Sequence, residues 1–171
     1  IAAYKARFAH GSATLHNRVR PPMAAQAAVA SVLLLAREAK RKVHLCHVST
    51  KGELLEIAKG RKAGARVSCE ASPHHLFLSE ENLDALGNYG KVNPPLRCKA
   101  DQAALWKALA GGQVDCVASD HAPHLRQEKE EDYWSAPSGV PGVETTLPLM
   151  LTAVFQKKLS LQKLVQLACV N

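Results

Sequence analysis

Apolar and polar positions divide the chain into alternating helical and strand-like segments. An Ala- and Leu-rich run at residues 22–41 predicts a helix, because Pro21 and Pro22 stand where a first helical turn accepts proline. Three short apolar runs predict buried strands. They lie at residues 42–49, 65–72 and 114–120. The remaining predicted elements are helices at 51–64, 99–112, 143–158 and 160–171, a loop passing into a short helix at 73–87, an extended segment at 90–97 and a long loop at 125–143.

This alternation of strands and helices is typical of a parallel sheet. In such folds, ligands bind at the carboxyl ends of the strands. Each predicted strand ends in, or is followed by, polar side chains that can take part in chemistry. They are His47 for the first strand, Glu70, His74 and His75 for the second, and Asp120, His121 and His124 for the third. The pattern therefore predicts an α/β fold with a functional site at that edge.

Composition fits one such domain, spanning residues 1–171, because 47% of the residues are apolar and only 5% are aromatic. No uninterrupted apolar stretch reaches the ~18 residues of a membrane span, so no membrane association is expected. The first ten residues, "IAAYKARFAH", contain no initiator Met and no apolar signal core. We therefore expect the chain to be a fragment of a longer one.

Charge is unevenly spread along the chain. Residues 1–66 carry thirteen Lys and Arg against three Glu, although the net charge of the whole chain is only +7. These cations follow helix ends and solvated faces without interleaved aromatics, so nucleic acid is not an expected partner.

The five cysteines are odd in number and form no C-x-x-C pair. Three of them, Cys46, Cys69 and Cys116, fall inside predicted strands. Buried free thiols of a cytoplasmic protein are the expected state.

His47 and Asp120 are the candidate metal ligands, because imidazole and carboxylate both suit Zn²⁺. A single histidine at a strand end is more often structural, but a carboxylate there is costly unless it is paired or bound to a metal. A catalytic zinc site takes about three protein ligands. Further ligands must therefore come from elsewhere.

Five segments in order, "HLCHVST", "CEASPHHLFLSEENL", "KVNPPLR", "DCVASDHAPH" and "PSGVPGVETTLPLMLT", closely resemble dihydroorotases of the amidohydrolase superfamily. The resemblance covers nearly the whole chain. It implies a (β/α)₈ barrel of which this chain is the C-terminal half, roughly strands six to eight. It also implies a zinc centre, usually binuclear, and the reversible cyclisation of N-carbamoyl-L-aspartate to L-dihydroorotate in pyrimidine synthesis.

The same resemblance assigns roles to individual residues. His47 corresponds to a zinc ligand, and Asp120 to a zinc ligand that is also the general acid and base. His124 corresponds to the histidine that holds the substrate carboxylate, and Asn93 to a substrate contact. Ser138 and Gly139 match a position where the backbone contacts the substrate. An aromatic residue often precedes that glycine in the family, so Ser138 is a departure.

The other histidines and Glu70 are expected to have supporting roles. His74 and His75 are predicted to pack around the site or orient its ligands, and His121 to orient the neighbours of Asp120. Glu70 is predicted to be a buried hydrogen-bond partner, and His44 to be structural. His10 and His16 are predicted to be solvated in a polar loop.

Several parts of the family's site are absent from this sequence. They are the H-x-H pair of the first strand, the bridging lysine or aspartate, the fifth-strand histidine and a substrate-binding arginine. The isolated chain is therefore predicted to be inactive. Unpaired sheet edges of a half-barrel would invite association, so a homo-oligomer or a pyrimidine-pathway complex is the expected partner besides the small-molecule substrate.

Two alternatives remain open. The first is another cyclic amidohydrolase, such as an allantoinase or a dihydropyrimidinase. The second is a non-catalytic, dihydroorotase-like scaffold protein, which an intact set of His47, Asp120 and His124 disfavours.

Overall fold

Three parallel strands form the centre of the computed structural model, which describes residues 2–8 and 11–171. The strands are β1 (Lys42–Leu45), β2 (Arg66–Ala71) and β3 (Cys116–Val117), in the spatial order β1-β2-β3. Lys42 is opposite Arg66 in the first pair, and Glu70 is opposite Cys116 in the second. The predicted parallel α/β arrangement is therefore present. The prediction for His10 lies outside the described residues.

The helices follow the predicted order with shorter bounds. The principal ones are α3 (Pro22–Glu38), α4 (Lys51–Lys62), α7 (Lys99–Ala110) and α9 (Val143–Phe155). The short ones are α1 (Ala2–Arg7), α2 (His16–Val19), α5 (Pro73–Phe77), α6 (Leu83–Leu86), α8 (Arg126–Lys129) and α10 (Leu161–Val165), with 3₁₀ turns at Ala13–Leu15, Glu80–Asn82 and Gly87–Gly90 and a π turn at Gln166–Val170.

Two predicted helix ends and one predicted loop differ from the structure for local reasons. Helix α3 ends before residue 41 because Lys40 adopts a φ of 53°, and α9 ends before residue 158 because Lys157 adopts a φ of 58°. Such left-handed residues close helices. The predicted loop at 125–143 contains α8, where Glu128 accepts a hydrogen bond from the Leu125 amide at 2.8 Å.

Thr50 is the N-cap of α4. The Thr50 hydroxyl accepts a hydrogen bond from the Glu53 amide, and the Glu53 carboxylate accepts one from the Thr50 amide. This reciprocal capping box satisfies two backbone donors at the first turn. At α10, Ser160 is the N-cap, and its side chain accepts from the Lys163 amide at 3.1 Å. Both caps start their helices directly after the preceding loop.

The two faces of the sheet differ in what covers them. Val43, Leu45 and Val67 pack against helices and the main hydrophobic core. The opposite face carries alternating polar residues, because side chains of a strand point to the two faces in turn. His44 and Cys46 on this face are exposed. The helices thus leave one face of the sheet open beside the carboxyl ends of the strands.

The expected burial of the cysteines is correct for Cys69 and wrong for Cys46. Cys69 is fully buried on the helix-covered face, and burial raises the pKa of its thiol to about 12. Cys46 lies on the open face and is exposed, so its strand position did not determine its burial. Cys116 is partly exposed.

No single helix in the described ranges is long and apolar enough to cross a membrane. Two consecutive helices, Ala13–Val19 and Pro22–Glu38, would together meet the length and composition of a membrane span, but their axes are bent by 44° at the break between them.

Candidate metal and substrate site

His47 and Asp120 both adopt left-handed backbone conformations, with φ of 38° and 48°. This conformation is costly for residues other than glycine and is concentrated at functional sites. Within the described ranges, the only other such residues are Lys40 and Lys157, which close helices. The left-handed turns of His47 and Asp120 instead follow β1 and β3. The left-handed turn at His47 also explains why β1 ends at Leu45, before the end of the predicted strand at residue 49.

His74, in the first turn of α5, lies close to Asp120 and near enough to His47 to be affected by its charge. Its Nε2 atom is buried, has no hydrogen-bond partner among residues 2–8 and 11–171, and lies 3.8 Å from Asp120 Oδ2. Burial lowers the pKa of His74 to about 4; Asp120 opposes that shift and His47 adds to it. His74 is therefore neutral at neutral pH, as an imidazole must be to bind a metal or to accept a proton.

His75 connects the site to the segment that carries Asn93. Its Nε2 donates to the Pro94 carbonyl at 2.9 Å, and its Nδ1 is buried with no partner in the described part of the chain. Burial lowers the pKa of His75 to about 3. This contact matches the loop-packing role that the sequence predicted for it.

Asn93 is held by His16, for which the sequence prediction of a solvated residue is wrong. His16 is 2% exposed, and its Nε2 lies 2.9 Å from Asn93 Oδ1 and 3.1 Å from the Val92 carbonyl oxygen. Both partners are acceptors, so Nε2 carries the proton and Nδ1 accepts from the Tyr133 hydroxyl at 2.7 Å. Since the oxygen of the Asn93 amide is occupied, its NH₂ group is left to donate elsewhere. Asn93 itself is exposed.

The burial of His16 predicts a loss of stability in acid. Burial lowers its pKa from 6.5 to about 4, so the unfolded chain binds a proton more readily between these values. Stability from this residue is complete above pH 6.5 and is lost as the pH falls toward 4, by about 2 kcal/mol between pH 8 and pH 5. Urea unfolding at both pH values measures this. His16→Gln is expected to show a smaller pH dependence than the wild type, whereas His121→Gln, at an exposed position, should match it.

A cavity of about 480 Å³ adjoins His47 and Asn93. Its volume lies in the range of small-molecule sites. Arg97 lies in its wall with a guanidinium group that is already bonded to Asn17 and to the Arg20 carbonyl, both at 2.7 Å. The lining residues are Val19, Arg20, Pro21, Ala24, Ala25, His47, Asn93, Pro94, Pro95 and Arg97.

The remaining predicted substrate residues form a second group. Gly139 is buried with a φ of 152°, and a methyl group there would lie 2.5 Å from the Ala122 carbonyl oxygen and 3.0 Å from His124 Nε2. Only glycine permits this close approach to His124. His124 Nδ1 lies 3.8 Å from a carboxylate oxygen of Glu128. The Gly139 amide donates to the Lys91 carbonyl at 2.9 Å, so this group and Asn93 belong to adjoining segments.

A cluster on the open sheet face was not predicted as a site. His44, Cys46 and Glu70 hold their ligand atoms within 4.8 Å of one another. The His44 ring contacts Ser68 Oγ at 2.8 Å and Glu70 Oε2 at 2.9 Å, while Glu70 Oε1 accepts from the His47 amide at 3.2 Å. The sequence signal was their alternation on the two strands, which places side chains on one face. The cluster adds nitrogen, sulfur and oxygen donors next to His47.

The donors assembled at this edge suit zinc. Zn²⁺ takes imidazole nitrogen, carboxylate oxygen and thiolate sulfur. The unpartnered Nε2 of His74 beside Asp120 is a buried polar atom whose cost a bound ligand or ion nearby would offset. The residues present therefore fit a zinc centre.

Solved structures of cyclic-amide hydrolases share this architecture. A dihydropyrimidinase from Brevibacillus agri matches with a TM-score of 0.89 and 28% identity, over 96% of this chain and 38% of its own. The inactive dihydroorotase-like domain of a Chaetomium thermophilum CAD-like multifunctional protein matches with a TM-score of 0.64 and 27% identity, over 81% of this chain and 38% of its own. The fold is that of part of an amidohydrolase barrel.

Curated relatives show which group of cyclic-amide hydrolases the sequence is similar to. A dihydroorotase of Halobacterium salinarum is 47% identical over 152 residues, covering 89% of this chain and 35% of the relative. The multifunctional protein CAD of Squalus acanthias is 47% identical over 139 residues, which are 81% of this chain and 6% of that protein. No family model matches the sequence. The chain spans about a third of the length of the dihydroorotases it matches. It is homologous to the dihydroorotases over most of its length, which confirms the resemblance seen in its motifs.

Proposed function

We propose that this chain supplies part of the active site of a zinc-dependent dihydroorotase, which interconverts N-carbamoyl-L-aspartate and L-dihydroorotate. The observation that carries the proposal is the left-handed Asp120 at the end of β3, whose carboxylate faces the unpartnered His74. Relatives named dihydroorotase, at 43–47% identity, support the substrate class. In this proposal, residues 1–171 form strands six to eight of an eight-stranded barrel.

His47 and Asp120 are the zinc ligands in this proposal. Zinc, when bound, lowers the pKa of a water molecule and polarises the carbonyl group of the substrate. Two ligands are fewer than the roughly three that a catalytic zinc site takes from a protein. The H-x-H pair, the bridging residue and a further histidine are therefore proposed to come from sequence outside this chain.

Asp120 moves the proton in this proposal. In the hydrolytic direction, Asp120 takes a proton from the attacking water and passes it to the leaving ring nitrogen. In the synthetic direction, it accepts the proton of the carbamoyl nitrogen. His74 stays neutral because burial lowers its pKa to about 4, so it forms no permanent ion pair that would occupy the Asp120 oxygens.

Asn93, His124 and the Ser138–Gly139 backbone bind the substrate in this proposal. The NH₂ group of Asn93 donates outward because His16 occupies its oxygen. His124 lies beside Gly139, where only a residue without a side chain leaves room for the imidazole ring. Together these groups orient an anionic substrate, and a positioned substrate reacts faster because less freedom is lost on the way to the transition state.

One observation favours a second candidate, a non-catalytic scaffold. The Chaetomium thermophilum domain that matches this fold is described as inactive. The intact His47 and Asp120 favour the enzyme. The CAD relative supports the further proposal that the protein works within a pyrimidine-pathway assembly.

Zinc content and dihydroorotate hydrolysis test the proposal on two samples, this chain and the longest natural protein that contains it. We expect about two zinc ions and measurable turnover only in the longer protein, since this chain holds about two of the needed ligands. A longer protein without metal or turnover would support the scaffold instead. Turnover of hydantoin or dihydropyrimidine rings in preference to dihydroorotate would indicate another cyclic amidohydrolase.

A further inference from the structure

Two lysines are buried together next to the proposed substrate groups. Lys91 is 7% exposed and Lys129, the last residue of α8, is 5% exposed. Neither forms an ion pair within the described parts of the chain. Burial and the neighbouring Lys91 lower the pKa of Lys129 to about 8, and burial lowers that of Lys91. Burying two like charges side by side opposes folding unless other groups solvate them.

Backbone carbonyl groups solvate both ammonium groups. Lys129 Nζ donates to the carbonyl oxygens of Lys91 at 3.2 Å, Pro137 at 3.0 Å and Gly139 at 3.1 Å. An ammonium group has three donors, so all of those on Lys129 are used. Lys91 Nζ donates to the carbonyls of Tyr133 and Ala136.

These contacts join two segments that are far apart in the sequence. The loop at 133–139 supplies four of the accepting carbonyls, and the segment at 91–93 supplies the fifth. Lys91 Nζ also lies 4.6 Å from the centre of the Tyr133 ring, and the Gly139 amide donates back to the Lys91 carbonyl at 2.9 Å. The two lysines thus fix the loop against the segment that ends at Asn93.

A purely structural role of the two lysines would explain their hydrogen bonds, but it would not explain why these lie next to the proposed substrate groups. The loop that Lys129 holds carries Ser138 and Gly139, and the segment it is held against carries Asn93. A loop could be anchored by apolar side chains at less cost than two buried charges, since well-packed apolar groups often replace buried ions without loss of stability. Ammonium groups instead fix the direction of each carbonyl, and thereby the direction of the neighbouring amides.

We propose that Lys129 and Lys91 are positioning residues for the substrate, which set the Ser138–Gly139 backbone at a defined distance from the Asn93 amide. This inference rests on the proposed function and deepens it. Neither lysine touches the substrate. Their effect is on how well an anionic ring substrate is held between the two segments.

Lys129→Met in the longest natural protein that contains this chain tests the proposal. The expected result is a rise in KM for dihydroorotate of about tenfold or more with a much smaller change in kcat, as is typical when a residue that orients binding groups is lost. Hydrogen exchange should become faster at the Gly139 amide. Lys107→Met removes an exposed lysine on α7 and should leave KM and exchange unchanged.

Lys129→Gln is the conservative partner, because it keeps two N–H donors without the charge. The KM of Lys129→Gln should lie between those of the wild type and Lys129→Met. If the methionine variant does not fold, the KM of the glutamine variant tests the proposal instead. If the wild type turns over and the Lys129 variants keep its KM, the inference alone is overturned, even if the variants are less stable. An absence of turnover in the wild type would instead refute the proposed function, and this inference with it.

Discussion

Replacing Asp120 by Asn is expected to lower dihydroorotate turnover in the complete protein by about 10³-fold or more, since general acid–base catalysis alone contributes 10²–10⁴-fold. The amide keeps the size of the side chain but can neither accept the proton nor bind zinc as a carboxylate does. Asp120 is partly exposed and, within the described ranges, forms no hydrogen bond with the core, so the fold should survive. Steady-state kinetics and zinc content measure the two losses separately.

The matched control for this variant is Asp84→Asn. Asp84 is an exposed carboxylate in the first turn of α6. Its replacement should leave turnover within about twofold of the wild type, because exposed substitutions away from a site change little. If Asp120→Asn retained a tenth or more of the wild-type rate, the proton-transfer role proposed for Asp120 would be wrong.

Replacing Arg97 by Met is expected to cause the largest loss of stability, about 3 kcal/mol, because it leaves one buried and two partly buried acceptors without this partner. Arg97 is 4% exposed, and its guanidinium group joins Asn17, the Arg20 carbonyl and, at 3.3 Å, the Ser49 hydroxyl. Three distant parts of the chain therefore meet at this one side chain. Urea unfolding followed by circular dichroism gives the difference in the free energy of unfolding.

Arg41→Met is the control for Arg97→Met. Arg41 is exposed and lies just before β1. Its replacement should change the free energy of unfolding by less than about 0.5 kcal/mol. A loss at Arg97 no larger than that at Arg41 would show that the hydrogen bonds of Arg97 contribute little to the fold.

Much of the fold was predictable from periodicity. The order of strands and helices, the parallel sheet and the Ser160 cap all follow from local patterns, because apolar spacing and capping residues act over a few positions. Strand ends were less predictable. The apolar runs continue past Leu45, but the left-handed turn at His47 ends the strand, and a hydrophobic pattern does not record backbone handedness.

The sequence was enough to propose candidate site residues but not to predict their contacts. Motif order pointed to His47, Asp120 and Asn93. The partner of Asn93 is His16, which in turn contacts Tyr133, 117 positions away along the chain. The sequence suggested a solvated loop for His16, because a polar neighbourhood in sequence carries no information about a partner that distant.

By itself, then, the sequence determined the α/β class, the side chains that end each strand and the resemblance to dihydroorotases. These depend on periodicity, on residue type and on short motifs, all of which are local. The tertiary structure decided that Cys46 is exposed, that His16 is buried and that Lys91 and Lys129 share one pocket of carbonyl groups. Whether a polar group is buried, and what it bonds to, depends on which distant segments of the chain come into contact. The free energy of a charged or polar side chain therefore depends more on these tertiary contacts than on its neighbours in the sequence.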